Sequence, residues 1–150
     1  MIRFEEPRDE LAVRRVNERA FGQKAEADLV DALRRREDTM IISLVAVEGE
    51  EVVGHILFSP ISVESPEGDW EAMGLGPMAV EPKHQGRGIG SQLVKAGLAE
   101  CRRLGYEVVM VLGHPEYYPR FGFVSSTLGI EWEGDAPAEA FMAVALKSPC

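Results

Sequence analysis

The chain has 150 residues, a formal net charge of −9, 45% apolar residues and 27% charged residues. These values predict one folded domain spanning residues 1–150 with a real core, and they argue against disorder. The acidic balance argues against broad contact with nucleic-acid phosphate, which needs a basic face, and mildly favours a cationic substrate through long-range steering.

Ile2-Arg3-Phe4-Glu5 alternates as a short strand, and its charges stand where a secretory leader needs an apolar stretch. Pro7-Arg8-Asp9-Glu10 starts a helix with Asp9 as cap and Leu11, Val13, Val16 and Ala20 as one apolar stripe, ended by Gly22. A second helix is expected over residues 25–35, with Leu29, Val30 and Leu33 facing inward. Its tail, Arg34-Arg35-Arg36, is either a solvated cap on the helix dipole or a contact for an anionic ligand. Residues 41–47 and 52–59 read as a hairpin about Glu48-Gly49-Glu50, with Pro60 and Ser65-Pro66-Glu67-Gly68-Asp69 marking a loop.

Trp70–Val80 reads as a long strand, and Glu81-Pro82-Lys83-His84 leads from it into a glycine-rich stretch. A helix is expected over residues 90–104, with Leu93, Val94, Gly97, Leu98 and Cys101 inward and Gly105 just past its end. Residues 107–112 are nearly all apolar, as in a strand covered on both faces. A short helix over 114–120, a strand opening at Gly122-Phe123-Val124 and a last strand over 140–146 complete the chain. That last strand is able to pair across a homodimer. No apolar run reaches the ~20 residues that span a bilayer, so a cytoplasmic protein with no membrane partner is expected. Cys101 and Cys150 are too far apart to suggest a disulfide, and with three scattered histidines they make no metal site.

The glycine stretch is Gln85-Gly86-Arg87-Gly88-Ile89-Gly90. Glycines at a strand-to-helix junction let the backbone turn tightly, and the N–H groups of the turn and of the helix start suit phosphate oxygens. A nucleoside-triphosphate loop ends in Gly-Lys-Ser/Thr, and no lysine precedes Ser91. A dinucleotide loop is G-x-G-x-x-G directly after a strand, with an acid at the end of the next strand. Here Ser91 stands in place of the third glycine, residues 81–85 intervene, and Glu107 lies at the wrong end of the next strand.

The pattern Gln85-x-x-Gly88-x-Gly90 resembles the Q/R-x-x-G-x-G/A motif of the GNAT superfamily of acyl-CoA-dependent acetyltransferases. Its flanks, Met78-Ala79-Val80-Glu81-Pro82 and Ser91-Gln92-Leu93-Val94, are similar to that family too. Tyr118-Pro119-Arg120-Phe121-Gly122-Phe123 resembles the family's Y-x-x-x-G-F segment. Gly54-His55-Ile56, Phe58-Ser59-Pro60 and Ala140-Phe141-Met142 look like the bacterial YhbS-like branch. Gly113-His114-Pro115 departs from the family, many of whose members carry an asparagine there.

The resemblance implies an α/β fold with a mixed, central, splayed sheet and helices on both faces. It implies acetyl-CoA as co-substrate, held by Met78, Ala79, Val80 and the loop Gln85, Gly86, Arg87, Gly88, Ile89, Gly90 and Ser91, without a metal. It also implies a primary amine of a small molecule or peptide as the acceptor. Pro77 independently suggests a bulge or splay, since a proline removes a ladder donor from a strand; an edge strand without ligand is the alternative. A splay frees backbone groups of Met78 and Val80, which the resemblance implies bind the pantetheine amides.

Acyl transfer needs a donor for the carbonyl oxygen, and a backbone N–H near Met78 to Val80 is the candidate. The thiolate needs a proton, which a phenol can give; Tyr118 occupies the matching motif position, and Tyr117 would point elsewhere on a helix. The base stays open between Glu71, His55, His84 and a chain of water molecules. Lys83 and Arg87 flank the loop and either pair with phosphate or sit solvated. A non-catalytic acyl-CoA-binding module and transfer of a longer acyl group are the rival readings.

Overall fold

The computed structural model describes residues 1–36, 40–64, 66–112, 117–125 and 141–146. Its strands are β1 (Ile2–Phe4), β2 (Ile42–Glu48), β3 (Glu51–Val63), β4 (Trp70–Val80), β5 (Val108–Leu112), β6 (Val124–Ser125) and β7 (Phe141–Ala145). They form one sheet in the order β1-β2-β3-β4-β5-β7-β6, parallel between β4 and β5 and antiparallel elsewhere. Helices α1 (Glu10–Phe21) and α2 (Ala25–Arg34) pack through Val13 and Val30 on Val45 and Leu57. Helix α3 (Ile89–Arg103) packs through Leu93, Val94 and Cys101 on Ile56 and Phe58. Adjacent strand residues point to opposite faces, so α1 and α2 cover one face and α3 the other. The expected α/β sheet with helices on both faces is the observed architecture.

Two apolar positions differ from the sequence reading. Leu11 is 79% exposed and Leu29 48% exposed. In α1 the buried residues are Val13, Val16 and Asn17, spaced three and four apart, and that face excludes a residue two positions before Val13. In α2 the buried pair is Ala27 and Val30. Pro60 does not end its strand either: β3 continues to Val63 and stays paired with β4 from Phe58 to that residue. Pairing of β2 with β3 stops at Ile42↔Phe58, so Pro60 lies where β3 has become an edge, and its missing N–H is tolerated there.

A buried polar chain ties α1 to the sheet. Asn17 Nδ2 donates to His55 Nδ1 at 3.2 Å, which leaves the ring proton on Nε2, facing Ser43 Oγ at 2.8 Å. Ser43 Oγ in turn donates to Glu5 Oε2 at 3.2 Å, and Arg34 pairs with Glu5. The basic run therefore begins with a structural ion pair rather than a ligand contact. His55 has no exposed surface; burial and then the nearby Arg34 charge push its pKa down to about 3. Below pH ~6.5 the unfolded chain takes up a proton at this histidine that the folded chain refuses. Stability from His55 is thus complete above pH ~6.5 and falls by up to about 1.4 kcal/mol per pH unit toward its folded pKa. Urea titrations between pH 5 and 7, where most carboxylates stay ionised, should show this slope, and His55→Gln should flatten it. Equal slopes in the two proteins would refute the assignment.

Toward its C-terminal end β4 changes register. Ile56 faces Met78 but Phe58 faces Leu75, so Leu57 alone stands opposite Gly76 and Pro77. This is a bulge at the predicted place. On its other side β4 pairs with β5 only from Met73↔Val109 to Leu75↔Val111. From there the two parallel strands part, and Met78–Val80 keep β3 as their neighbour while lacking β5. The terminal strand β7, read above as able to pair across a homodimer, instead lies inside the sheet between β5 and β6. Among the described residues no helix is long and apolar enough to cross a membrane.

Candidate active site

The parting of β4 and β5 opens a cleft of about 1130 Å³. Its lining includes Gly74 to Val80 of β4, Met110 to Leu112 of β5, most of the glycine loop, and both Tyr117 and Tyr118. A second cavity of about 800 Å³ lies between α1 and the β2–β3 turn, mixes arginines with glutamates, and holds none of the glycines of the 85–91 loop.

The loop is shaped by backbone conformation. Gly86 has φ +82° and Gly88 φ +83°, and a Cβ at either would meet nothing within 4 Å. Glycine is needed there for its left-handed backbone, not for space. Gly88 is the N-cap of α3, so the N–H groups of the first helical turn, which lack intrahelical acceptors, face the loop. Gly90 serves differently: a Cβ there would lie 3.0 Å from the Tyr117 hydroxyl and 3.4 Å from Met78. Gln85 Nε2 donates to the Val80 carbonyl at 3.0 Å and pins the loop to the end of β4. That carbonyl is thus engaged by the loop itself. Ile89 is buried beneath the turn.

A short 3-10 helix, Tyr118–Phe121, carries the aromatic wall and ends at Gly122 with φ +95°. Tyr118 is 7% exposed and packs edge-on against Tyr117 and Phe123, with centroids 5.1 and 5.7 Å away. Burial, and then the neighbouring Tyr117, push its pKa up to about 12. The sequence reading sets Tyr117 aside on ideal helical geometry. In the structure it precedes the 3-10 turn, lines the cleft, and brings its hydroxyl 3.3 Å from Ser91 Oγ. Arg120 stacks on the Tyr117 ring at 4.6 Å.

The structure therefore brings together Met78, Ala79, Val80, Gln85, Gly86, Gly88, Ile89, Gly90, Ser91 and Tyr118 around one cleft. Four predicted residues, Arg87, Glu71, His55 and Lys83, stand apart. Arg87 is exposed outside the lining, with its guanidinium 3.5 Å from His84 Nδ1. Glu71 is exposed near the start of β4, opposite Ser62, and does not reach the cleft. Strand alternation fixes which face a residue takes but not its distance from the splay, and Glu71 lies several residues before it. His55 is sealed in the polar chain and, with its lowered pKa, is no base at neutral pH. His84 lines the loop end of the cleft and holds Glu48 at 2.8 Å. Lys83 lines the second cavity instead. The carboxylate that does line the cleft among the described residues is Glu26, in the first turn of α2; nothing local distinguishes it from a surface acid in the sequence. Cys101 is buried, which pushes its thiol up to about 12, and Gly113, His114, Pro115 and Cys150 lie outside the described residues.

A long cleft on the splayed sheet thus ends at a positive-φ glycine turn and a helix N-terminus, a geometry that suits the phosphates of a cofactor. Residues 2–125 match the family described as Acetyltransferase (GNAT) domain. The uncharacterized N-acetyltransferase YhbS of Escherichia coli K12 is 37% identical over 142 residues, covering 92% of this chain and 83% of YhbS. The crystal structure of Escherichia coli YhbS in complex with CoA superposes with TM-score 0.87 at 34% identity, over 98% of this chain and 81% of that one. A GNAT acetyltransferase from Brucella melitensis in complex with acetyl-CoA gives TM-score 0.81 at 35% identity, over 100% of this chain and 90% of that one. The chain belongs to the GNAT acetyltransferase family, in its YhbS-like branch.

Proposed function

We propose that this acetyl-CoA-dependent N-acetyltransferase moves the acetyl group directly to a primary amine, with Tyr118 as general acid, and works as one cytoplasmic domain. The observation that carries the reading is the pair Gly86 and Gly88, both in the left-handed region at the N-terminus of α3, where the cleft opens beside β4. Loop N–H groups and the helix terminus suit a diphosphate, and the unpaired side of Met78–Val80 suits an extended amide chain laid along it. Acetyl-CoA supplies an activated thioester. The protein's own residues orient it, offer a backbone N–H near Met78 to Val80 to the carbonyl oxygen, and hold the Tyr118 proton for the departing sulfur. Tyr118 lines this cleft, as that role requires. The amine arrives protonated, with a pKa of about 10.4 when lysine-like. Its proton leaves through water: Glu71 and His55 are both away from the cleft, and His84, at the loop end of the cleft, is held by Glu48.

Calorimetric titration with acetyl-CoA, CoA and NADH tests the reading. Acetyl-CoA and CoA should bind and NADH should not. Gly88→Val should weaken acetyl-CoA at least about tenfold, because a β-branched residue at positive φ is a steric outlier and must reshape the turn. Absence of acetyl-CoA binding to the unaltered protein would overturn the assignment.

A further inference from the structure

We propose that the acceptor is a primary amine carried on an apolar aryl or alkyl body, recognised on the α1–α2 side of the cleft. The inference rests on the acetyl transfer proposed above and deepens it. The cleft passes through the splay, so it has two sides. The glycine loop and α3 belong to one face of the sheet, and α1 and α2 to the other. Residues of that second side line the same cleft: Phe21 at the end of α1, Leu29 and Leu33 of α2, and Ile61 of β3.

Two of these are large apolar side chains left in contact with solvent, Phe21 at 40% and Leu29 at 48% exposure. Leu112, at the parted end of β5, is a third at 43%. Single exposed apolar residues are ordinary on a protein surface. Several that converge on one concave wall are the mark of a ligand site. The charge of this wall is equally specific. Glu26 is the carboxylate among the described lining residues, and Gln23 Nε2 lies 3.0 Å from each of its oxygens, which holds it in place. One carboxylate can draw one ammonium to the cleft mouth. A polyamine or aminoglycoside would bring several ammonium groups against leucine and phenylalanine, and each would lose water without gaining a partner. An amine with one cationic end and an apolar remainder matches both features.

The test uses the full chain with four acceptors: 2-phenylethylamine, tryptamine, spermidine and kanamycin. CoA release gives kcat and KM, and saturation-transfer NMR with CoA present gives binding without turnover. The aryl amines should show kcat/KM at least about tenfold above the two polycations, in line with the 10–200-fold that hydrophobic pockets discriminate. Phe21→Ala and Leu29→Asn should raise KM for 2-phenylethylamine several-fold and weaken its transfer signal, with acetyl-CoA affinity unchanged. Both positions are exposed enough for the variants to fold. Preference for spermidine or kanamycin would overturn the proposal, as would acetyl-CoA binding without any binding or turnover of aryl amines. Failure to bind acetyl-CoA would instead overturn the acetyltransferase reading beneath it.

Discussion

Tyr118→Phe is expected to lower kcat about 10²–10⁴-fold, the usual contribution of a positioned proton donor, while acetyl-CoA affinity stays within about twofold. The substitution removes one oxygen and keeps the ring that packs on Tyr117 and Phe123. Burial, with Tyr117 beside it, raises the Tyr118 pKa to about 12. A phenol that weakly acidic is fully protonated at neutral pH, so the donor is always loaded, but it transfers its proton readily only to a base of similar strength. A thiolate is poorly stabilised away from water, so exclusion of water from the reacting sulfur raises its basicity toward that of the phenol. The rate should therefore keep rising with pH as the amine loses its proton, without an alkaline fall near pH 10 from Tyr118. Tyr117→Phe makes the comparison specific. Its hydroxyl faces Ser91 of the glycine loop, so its loss should alter acetyl-CoA affinity more than kcat. A Tyr118→Phe enzyme that retains full kcat would reduce this residue to a packing element.

How far the sequence could be read follows from the range of the interactions involved. The glycine turn, β4, α3 and the bulge at Pro77 were legible because each is dictated by a few adjacent residues: positive φ, an apolar run, a missing N–H. The burial of α1 was not, since Leu11 and Asn17 exchange roles only when the helix meets His55. A histidine read as a candidate base is buried because Asn17 and Ser43, far apart in sequence, close around it. Glu71 and Glu26 exchange importance for a related reason. Which acid reaches the cleft depends on where α2 crosses the splay, and composition and periodicity carry no information on that crossing.

Gly97→Ala should destabilise the fold, although local rules predict the reverse. A glycine within a helix costs about 1 kcal/mol relative to alanine, so the substitution in the middle of α3 would stabilise an isolated helix. Here α3 lies directly on β3. A Cβ at Gly97 would stand 2.1 Å from Phe58 Cε1 and 2.4 Å from Cζ. Phe58 is fully buried, so its ring cannot swing out into solvent to relieve the contact. Overpacking of this kind costs typically about 1–3 kcal/mol, enough to outweigh the helical gain, with a fall in Tm of roughly 2–4 °C for each net kcal/mol in a chain of this size. Phe58→Leu in the same protein should recover much of the loss, because the two positions share one contact and their effects are not additive. A Tm raised by Gly97→Ala alone would mean that α3 rides farther from the sheet than the structure places it. The consequence reaches the site, since α3 carries the glycine turn at its N-terminus and also packs closely at Gly54 of β3, where a Cβ would stand 3.1 Å from Ile89 and Leu93. A helix lifted at Gly97 tilts that turn away from β4. Acetyl-CoA binding should therefore weaken in Gly97→Ala and return with Phe58→Leu, which separates a loop displaced through the core from one damaged directly.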